Sequence, residues 1–158
     1  MRSGKAPKRK ILPDPIYGST VLTKIINRIM RDGKKTLAQR LVYGAMDVIE
    51  KTGKKPITVL DAAIATVSPK MEVRPRRVGG ASYQVPTEVR GERKESLAIR
   101  WIIAGARAKA NKDFKDGFSA KLAAEIMDAS EGKGYAAKKK EDTLRMAEAN
   151  KAFSHFRW

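Results

Sequence analysis

The sequence predicts a mainly α-helical single domain: about six helices, one protruding two-stranded β-hairpin near residues 71–89, and a basic, flexible N-terminal arm over residues 1–18. Three observations carry that expectation. Apolar residues recur at helical spacing through most of the chain. Hydrophobic residues make up 42% of the 158, enough for one domain, 19–158, with a real core. A single stretch, "VRPRRVGGASYQVPTEV", abandons the helical period for two short runs around a glycine pair.

The first ten residues, "MRSGKAPKRK", contain Arg2, Lys5, Lys8, Arg9 and Lys10 but no acid. With Gly4 and Pro7 among them they build no helix and bury no face, which makes them an arm. "ILPDPIYGS" extends it as a lead-in held open by Pro13 and Pro15. Ser19 or Thr20 then caps a first helix. Val21, Leu22, Ile25, Ile26, Ile29 and Met30 share one side of it; Thr20, Lys24, Asn27, Arg28 and Arg31 share the other, a polar face with three cations and no acid. Asp32-Gly33 ends the helix, and Lys34 and Lys35 follow.

The second helix presents Leu37, Leu41, Ala45, Val48 and Ile49 and stops at Gly53. A third opens at Thr58, which with Asp61 resembles a capping box; its apolar face is Val59, Leu60, Ala63, Ile64 and Val67, and Ser68-Pro69 closes it. In the ribbon that follows, Arg74, Arg76 and Arg77 precede Gly79-Gly80, where a tight turn calls for positive φ. Its strands offer few apolar groups to the core.

Helix four, about Glu92 to Ala110, aligns Arg93, Arg100 and Arg107 within a stripe roughly 40° wide. Around the stripe lie Leu97, Ala98, Trp101, Ile102 and Gly105, so Trp101 reads as core. Phe118, Leu122, Ile126 and Met127 mark helix five, ended by Gly132 and Gly134. The last helix, about Ala136 to Ala152, carries Lys138, Lys139, Lys140, Arg145, Asn150 and Lys151 on every side, with thin cover from Leu144, Met146 and Ala147. A helix so polar is either solvent-bridging or held by an outside partner.

Charge narrows the function. There are 34 Lys and Arg against 17 Asp and Glu, a net +17 with pI near 10.3. Such an excess repels itself unless a polyanion neutralises it, so nucleic acid leads and an anionic membrane surface comes second. The cations are spread over several elements rather than along one amphipathic face, which speaks against the membrane. Cysteine is absent, excluding disulfides, zinc fingers and thiol catalysis. No apolar run approaches a membrane span and no signal-peptide stretch is visible, so a soluble, intracellular protein is expected.

Catalysis finds no footing. Around "RDGKKT" a P-loop's upstream glycine is missing, and Lys35 stands where its hydroxyl residue belongs. His155 is the single histidine, which leaves no histidine pair for a metal. Pairs such as Asp47 with Glu50, or Glu141 with Asp142, sit beside lysines as solvated ion pairs. Neither an enzyme nor a cofactor, metal or small-molecule substrate is expected.

A compact domain with basic arms suits folded RNA, whose narrow major groove excludes helices and whose phosphates and junction shapes are read instead. Arginine forks hold phosphate bidentately. A basic β-ribbon also reads duplex DNA, so an architectural DNA-binding protein remains the alternative.

"RKILPDP", "DGKK", "RRVGGASYQVPTEVR", "LAIRW" and "KKKEDTLRMAEANKAFSHFRW" occur in this order, and together they closely resemble the bacterial small-subunit ribosomal protein number seven family over nearly the whole chain. The resemblance implies six helices with a protruding hairpin. It implies a primary binder of small-subunit rRNA that grips the 3′ major domain and nucleates assembly of the subunit head. It further implies a hairpin reaching transfer RNA at the exit site, a place beside the messenger path, and neighbouring head and platform ribosomal proteins. The implied setting is a cytoplasmic ribosome; the sequence does not separate it from an organelle-encoded one, although no transit peptide is visible. Some members also repress their own messenger. Others continue well past the "FRW" tail and make part of a platform contact there. Lys138–Lys140 are three lysines where the family pattern has an arginine among them.

Overall fold

The chain runs through α1 (Thr20–Ile29), α2 (Lys35–Lys51), α3 (Pro56–Val67), β1 (Met71–Val78), β2 (Ala81–Glu88), α4 (Gly91–Ala108), α5 (Gly117–Ser130) and α6 (Gly134–Ala149), then a 3-10 turn, Lys151–Phe156. This computed structural model describes Gly4 and residues 9–114 and 117–156; Arg2, Lys5 and Lys8 of the expected arm lie outside them.

The expected lead-in closes into a turn at its end. Asp14 is 3% exposed: its carboxylate accepts from the backbone N–H groups of Ile16 (3.2 Å) and Tyr17 (3.1 Å) and from the Tyr43 hydroxyl (2.8 Å). This tie pins the entry of α1 to α2. Ser19 then caps α1 through its hydroxyl, which accepts from Leu22 N–H at 3.3 Å. Leu22, Ile25, Ile26 and Ile29 are buried, as their spacing predicts. The helix stops at Ile29, short of Asp32-Gly33. Those two residues, with φ of 52° and 72°, instead make the left-handed turn into α2.

Two expectations are corrected. In α2 the buried stripe is Ala38, Val42, Ala45, Met46 and Ile49, while Leu37 is 49% exposed and Leu41 and Val48 are only half-buried. Small side chains decide this, because α5 packs closely here: a Cβ on Gly44 would stand 3.2 Å from Ser119 Oγ. Helix α3 starts at Pro56, not Thr58. Proline's fixed φ begins the helix without a donor to satisfy, so Thr58 and Asp61 stay exposed and no capping box forms.

Helix α5 runs through the centre, packed against α2, α3 and α4. Helix α4 buries Leu97, Ala98, Ile99, Ile102 and Ile103, with Trp101 half-buried at the edge of the core rather than within it. The last helix is not partnerless. It packs on α4, α5 and β1, buries Ala136 and Ala147, and sends Lys140 Nζ to the Thr66 carbonyl (2.6 Å), near the C-terminal end of α3. Cations near a helix C-terminus satisfy its orphan carbonyls. The sequence concealed this because a lysine reaching a neighbour looks like any solvated lysine.

One buried carboxylate joins α4, α5 and α6. Glu125 on α5 is 1% exposed, accepts the Ala136 N–H from the first turn of α6 at 3.0 Å, and pairs with Lys109 at 3.3 Å, just past α4. Burial pushes the Lys109 ammonium down, but Asp128 and Glu125 outweigh it and hold its pKa above the ordinary lysine value. Lys121, 6% exposed, donates to the Lys109 carbonyl (2.7 Å) and to Asn111. Gly105 is required beside this node, since a Cβ there would lie 2.5 Å from Glu125 Cδ.

Gly105→Ala is therefore expected to cost about 1–3 kcal/mol by overpacking. Much of that loss should vanish in a Glu125→Ala background, where the space is vacated. Denaturant unfolding of the four proteins of the cycle measures the coupling. Additive losses would mean that Gly105 and Glu125 do not compete for volume.

Candidate nucleic-acid interface

Acids already hold several of the cations singled out in the sequence. Glu72, at the base of β1, is 7% exposed; Arg74 Nε donates to its Oε1 at 2.6 Å, and Arg93 Nη2 to its Oε2 at 3.2 Å. Arg93 thus clamps the ribbon to the start of α4, while Arg74 holds the same carboxylate from within β1. Lys24 pairs with Glu95 of α4 at 2.7 Å, so the polar face of α1 does meet an acid across the helix interface. Arg145 pairs with Glu141 one turn away at 3.1 Å. Lys140 is held by Thr66.

Other cations converge without such partners. Arg28 and Arg31 at the end of α1 approach Arg107 near the end of α4, and all three are exposed. The Arg107 guanidinium sits below its ordinary value, first because it is partly buried and then because Arg31 and Arg28 repel it. Among the described residues no carboxylate lies within ion-pair distance of these three. Lys34, beyond the Asp32-Gly33 turn, lines the same cleft as Arg31 and Arg107. On the other side of α1, Arg9 lines a hollow of about 420 Å³ with Lys24, Arg28 and Ile99. Lys10 and Lys35 join Arg9 in an adjoining hollow. Arg28, Arg31 and Arg107 thus form a cationic corner between α1 and α4, with Glu92 lining the hollow beside it, while Arg100 stands exposed further back on α4.

The ribbon forms a second region. Gly79 and Gly80 have φ of 56° and 90°, the two-residue turn in which both positions need positive φ. Strand pairing sets Arg77 opposite Ser82 and Arg76 opposite Tyr83. Arg77 and both glycines are exposed, whereas Val85, Pro86 and Val89 are buried toward the base. The flank leans on the C-terminal turn: the Tyr83 ring centroid is 5.2 Å from Phe153 and 5.2 Å from Phe156. Sequence reasoning missed this cluster. The spacing of Phe153 and Phe156 hints at one face, but nothing local points to Tyr83. Lys138 and Lys139 are exposed on α6, with Lys139 Nζ 5.6 Å above the Tyr135 ring.

Among the described residues no helix is long and apolar enough to cross a membrane, and no three potential metal ligands cluster. The family described as Ribosomal protein S7p/S5e matches residues 1–151. Proteins named Small ribosomal subunit protein uS7 from Pelotomaculum thermopropionicum and Carboxydothermus hydrogenoformans are each 60% identical over 158 residues, covering 99% of both chains. That of Acetivibrio thermocellus is 56% identical with the same coverage.

The ribbon clamp has a pH signature. Burial alone would raise the Glu72 pKa, but the bonds from Arg74 and Arg93 outweigh it and leave it below 4.5. A depressed folded pKa gives stability that is complete above the unfolded value and is lost as pH falls through the folded one. Glu72→Gln should therefore cost about 1 kcal/mol at neutral pH, a value limited by solvent around the half-exposed arginines. It should also flatten the acid limb of stability below about pH 4.5. Thermal melts of both proteins across that range test this; parallel acid limbs would rule out the clamp.

Proposed function

Because this chain belongs to the ribosomal protein S7p/S5e family, and is a structural constituent of the small ribosomal subunit, we propose that it is a primary binder of small-subunit rRNA. In this reading it grips the 3′ major domain, nucleates assembly of the subunit head, and reaches exit-site transfer RNA and the messenger path with its ribbon. The observation that carries the reading is the gathering of Arg28, Arg31 and Arg107 without a neutralising acid among the described residues.

Three guanidiniums brought together repel one another, and a folded protein tolerates this where a polyanion completes the site. Each fork takes a phosphate bidentately, and the corner formed by two helices matches a backbone turn better than a smooth groove. Arg9, Lys10, Lys34 and Lys35 surround that corner and extend the contact; Arg2, Lys5 and Lys8, outside the described residues, are further RNA-binding cations in this reading. Arg100 adds a contact along α4, and Lys138 and Lys139 one on α6. Lys24, Arg74, Arg93, Lys140 and Arg145 act at one remove, because ion pairs or a helix end already engage them. At the ribbon tip Gly79 and Gly80 let the backbone approach RNA closely while Arg76 and Arg77 supply charge.

Chemical footprinting of the purified chain on naked small-subunit rRNA tests the primary-binder claim. Protections confined to the 3′ major domain are expected without any other protein; protections that need a second protein would overturn it, as would preference for competing duplex DNA. Changing Arg28, Arg31 and Arg107 together to Gln should reduce the slope of log affinity against log salt by about 2–3, since each lost phosphate contact removes about 0.7–0.9. An unchanged slope would remove the corner from the interface. Arg76→Gln with Arg77→Gln should leave rRNA affinity within a few-fold but alter exit-site occupancy and frame maintenance in purified ribosomes. Wild-type values on both would sink the role of the tip.

A further inference from the structure

Beside the cationic corner lies a cleft of about 410 Å³ whose character is unlike that of the corner. Its floor is apolar, made by buried Ile29 and Ala38. Its walls are Met30, Leu41 and Phe118, all half-buried, and Leu37, which is 49% exposed. Only the mouth is charged, with Arg31, Lys34 and Arg107 around it and Asp32 as the single acid. The left-handed turn at Asp32-Gly33 shapes that mouth, carrying the chain from Arg31 to Lys34 around its edge.

We propose that this cleft receives one unstacked nucleobase of a single-stranded RNA segment, with Phe118 and Leu37 against the base and Arg31, Lys34 and Arg107 on the flanking phosphates. The inference rests on the RNA-binding reading and adds to it a pocket for a base, where the corner alone needs only phosphates. The occupant follows from the pairing of surfaces. A nucleotide is a flat, largely apolar ring joined to an anion, and the cleft offers an apolar slot under a mouth with three cations to one acid. The volume falls within the range of small-ligand sites. Single-stranded RNA is recognised in this way, with bases splayed out and stacked on aromatic side chains. Repulsion among Arg28, Arg31 and Arg107 favours phosphate at the mouth over a neutral peptide. An acidic peptide with an apolar anchor is the competing occupant.

The test uses the full chain and two probes, a mixed-sequence single-stranded RNA heptamer and the same backbone with its bases removed. The base-bearing heptamer should bind more tightly. Leu37→Gln, at an exposed position, should weaken its binding about tenfold, a typical loss when one base contact is removed. Binding of the abasic strand should not change. Equal affinities for the two strands, or equal loss of both on substitution, would overturn the pocket and leave electrostatics alone. So would displacement by a Leu-containing polyglutamate peptide, but not by the heptamer, of a fluorophore attached beside Leu37. Wild-type binding to the rRNA 3′ major domain is measured alongside: its absence rejects the function proposed above, while its presence with indistinguishable heptamers rejects only the base pocket.

Discussion

The packing of α4, α5 and α6 depends on the carboxylate of Glu125. It bonds the first turn of α6, faces Gly105 in α4, and pairs with Lys109 where α4 ends. A carboxylate with 1% exposure is costly to desolvate, and is tolerable only with hydrogen bonds and a cation in place. Here the partners come from the end of α4 and the first turn of α6, so the group is satisfied only when α4, α5 and α6 have all arrived. Its position next to the N-terminus of α6 adds a favourable helix dipole. Apolar packing alone would let these Ala-rich faces slide, whereas the node sets their register.

The same logic distributes the other acids. Asp14 pins the entry of α1 to α2, Glu95 bridges α4 to α1, Glu72 binds the ribbon to α4, and Asp128 secures Lys109. With 17 acids against 34 cations, acids placed at joints between elements cannot also neutralise the outer surface. Arg28, Arg31, Arg107, Arg77, Lys138 and Lys139 take no part in these joints, and the proposed RNA contact draws on them.

Helix number, the glycine turn and the apolar faces of α1, α3 and α4 were legible in the sequence because each is a local pattern. Ser19 caps its own helix, and Gly79-Gly80 close their own turn. The face of α2 was misjudged because Leu37 and Leu41 outrank Ala38 and Ala45 in hydrophobicity, yet the closeness of α5 favours the smaller residues. Pro56 against Thr58 was a contest between two local start signals, and the fixed φ of proline prevailed. In the candidate site, the cationic character of α1 and α4 was visible, but its division was not. Arg93 and Arg107 lie on one stripe of one helix, and only the tertiary structure gives the first to Glu72 and the second to a cluster of like charges.

That division makes α4 a spacer between the two proposed contact regions. Arg93 near its start fixes the ribbon through Glu72, and Arg107 near its end helps form the corner with Arg28 and Arg31. Fourteen residues at about 1.5 Å per residue separate them by roughly 21 Å along the helix axis. The ribbon is further steadied by Tyr83 against Phe153 and Phe156, so its angle is constrained at the flank as well as the base. A protein that holds two cationic regions at a set distance and angle selects RNA by the spacing of its backbone rather than by base sequence. Ordering these elements before binding also lowers the entropy lost on association. In the proposed reading, long-range charge brings the RNA in, and the separation along α4 decides which fold of that RNA can touch both regions at once.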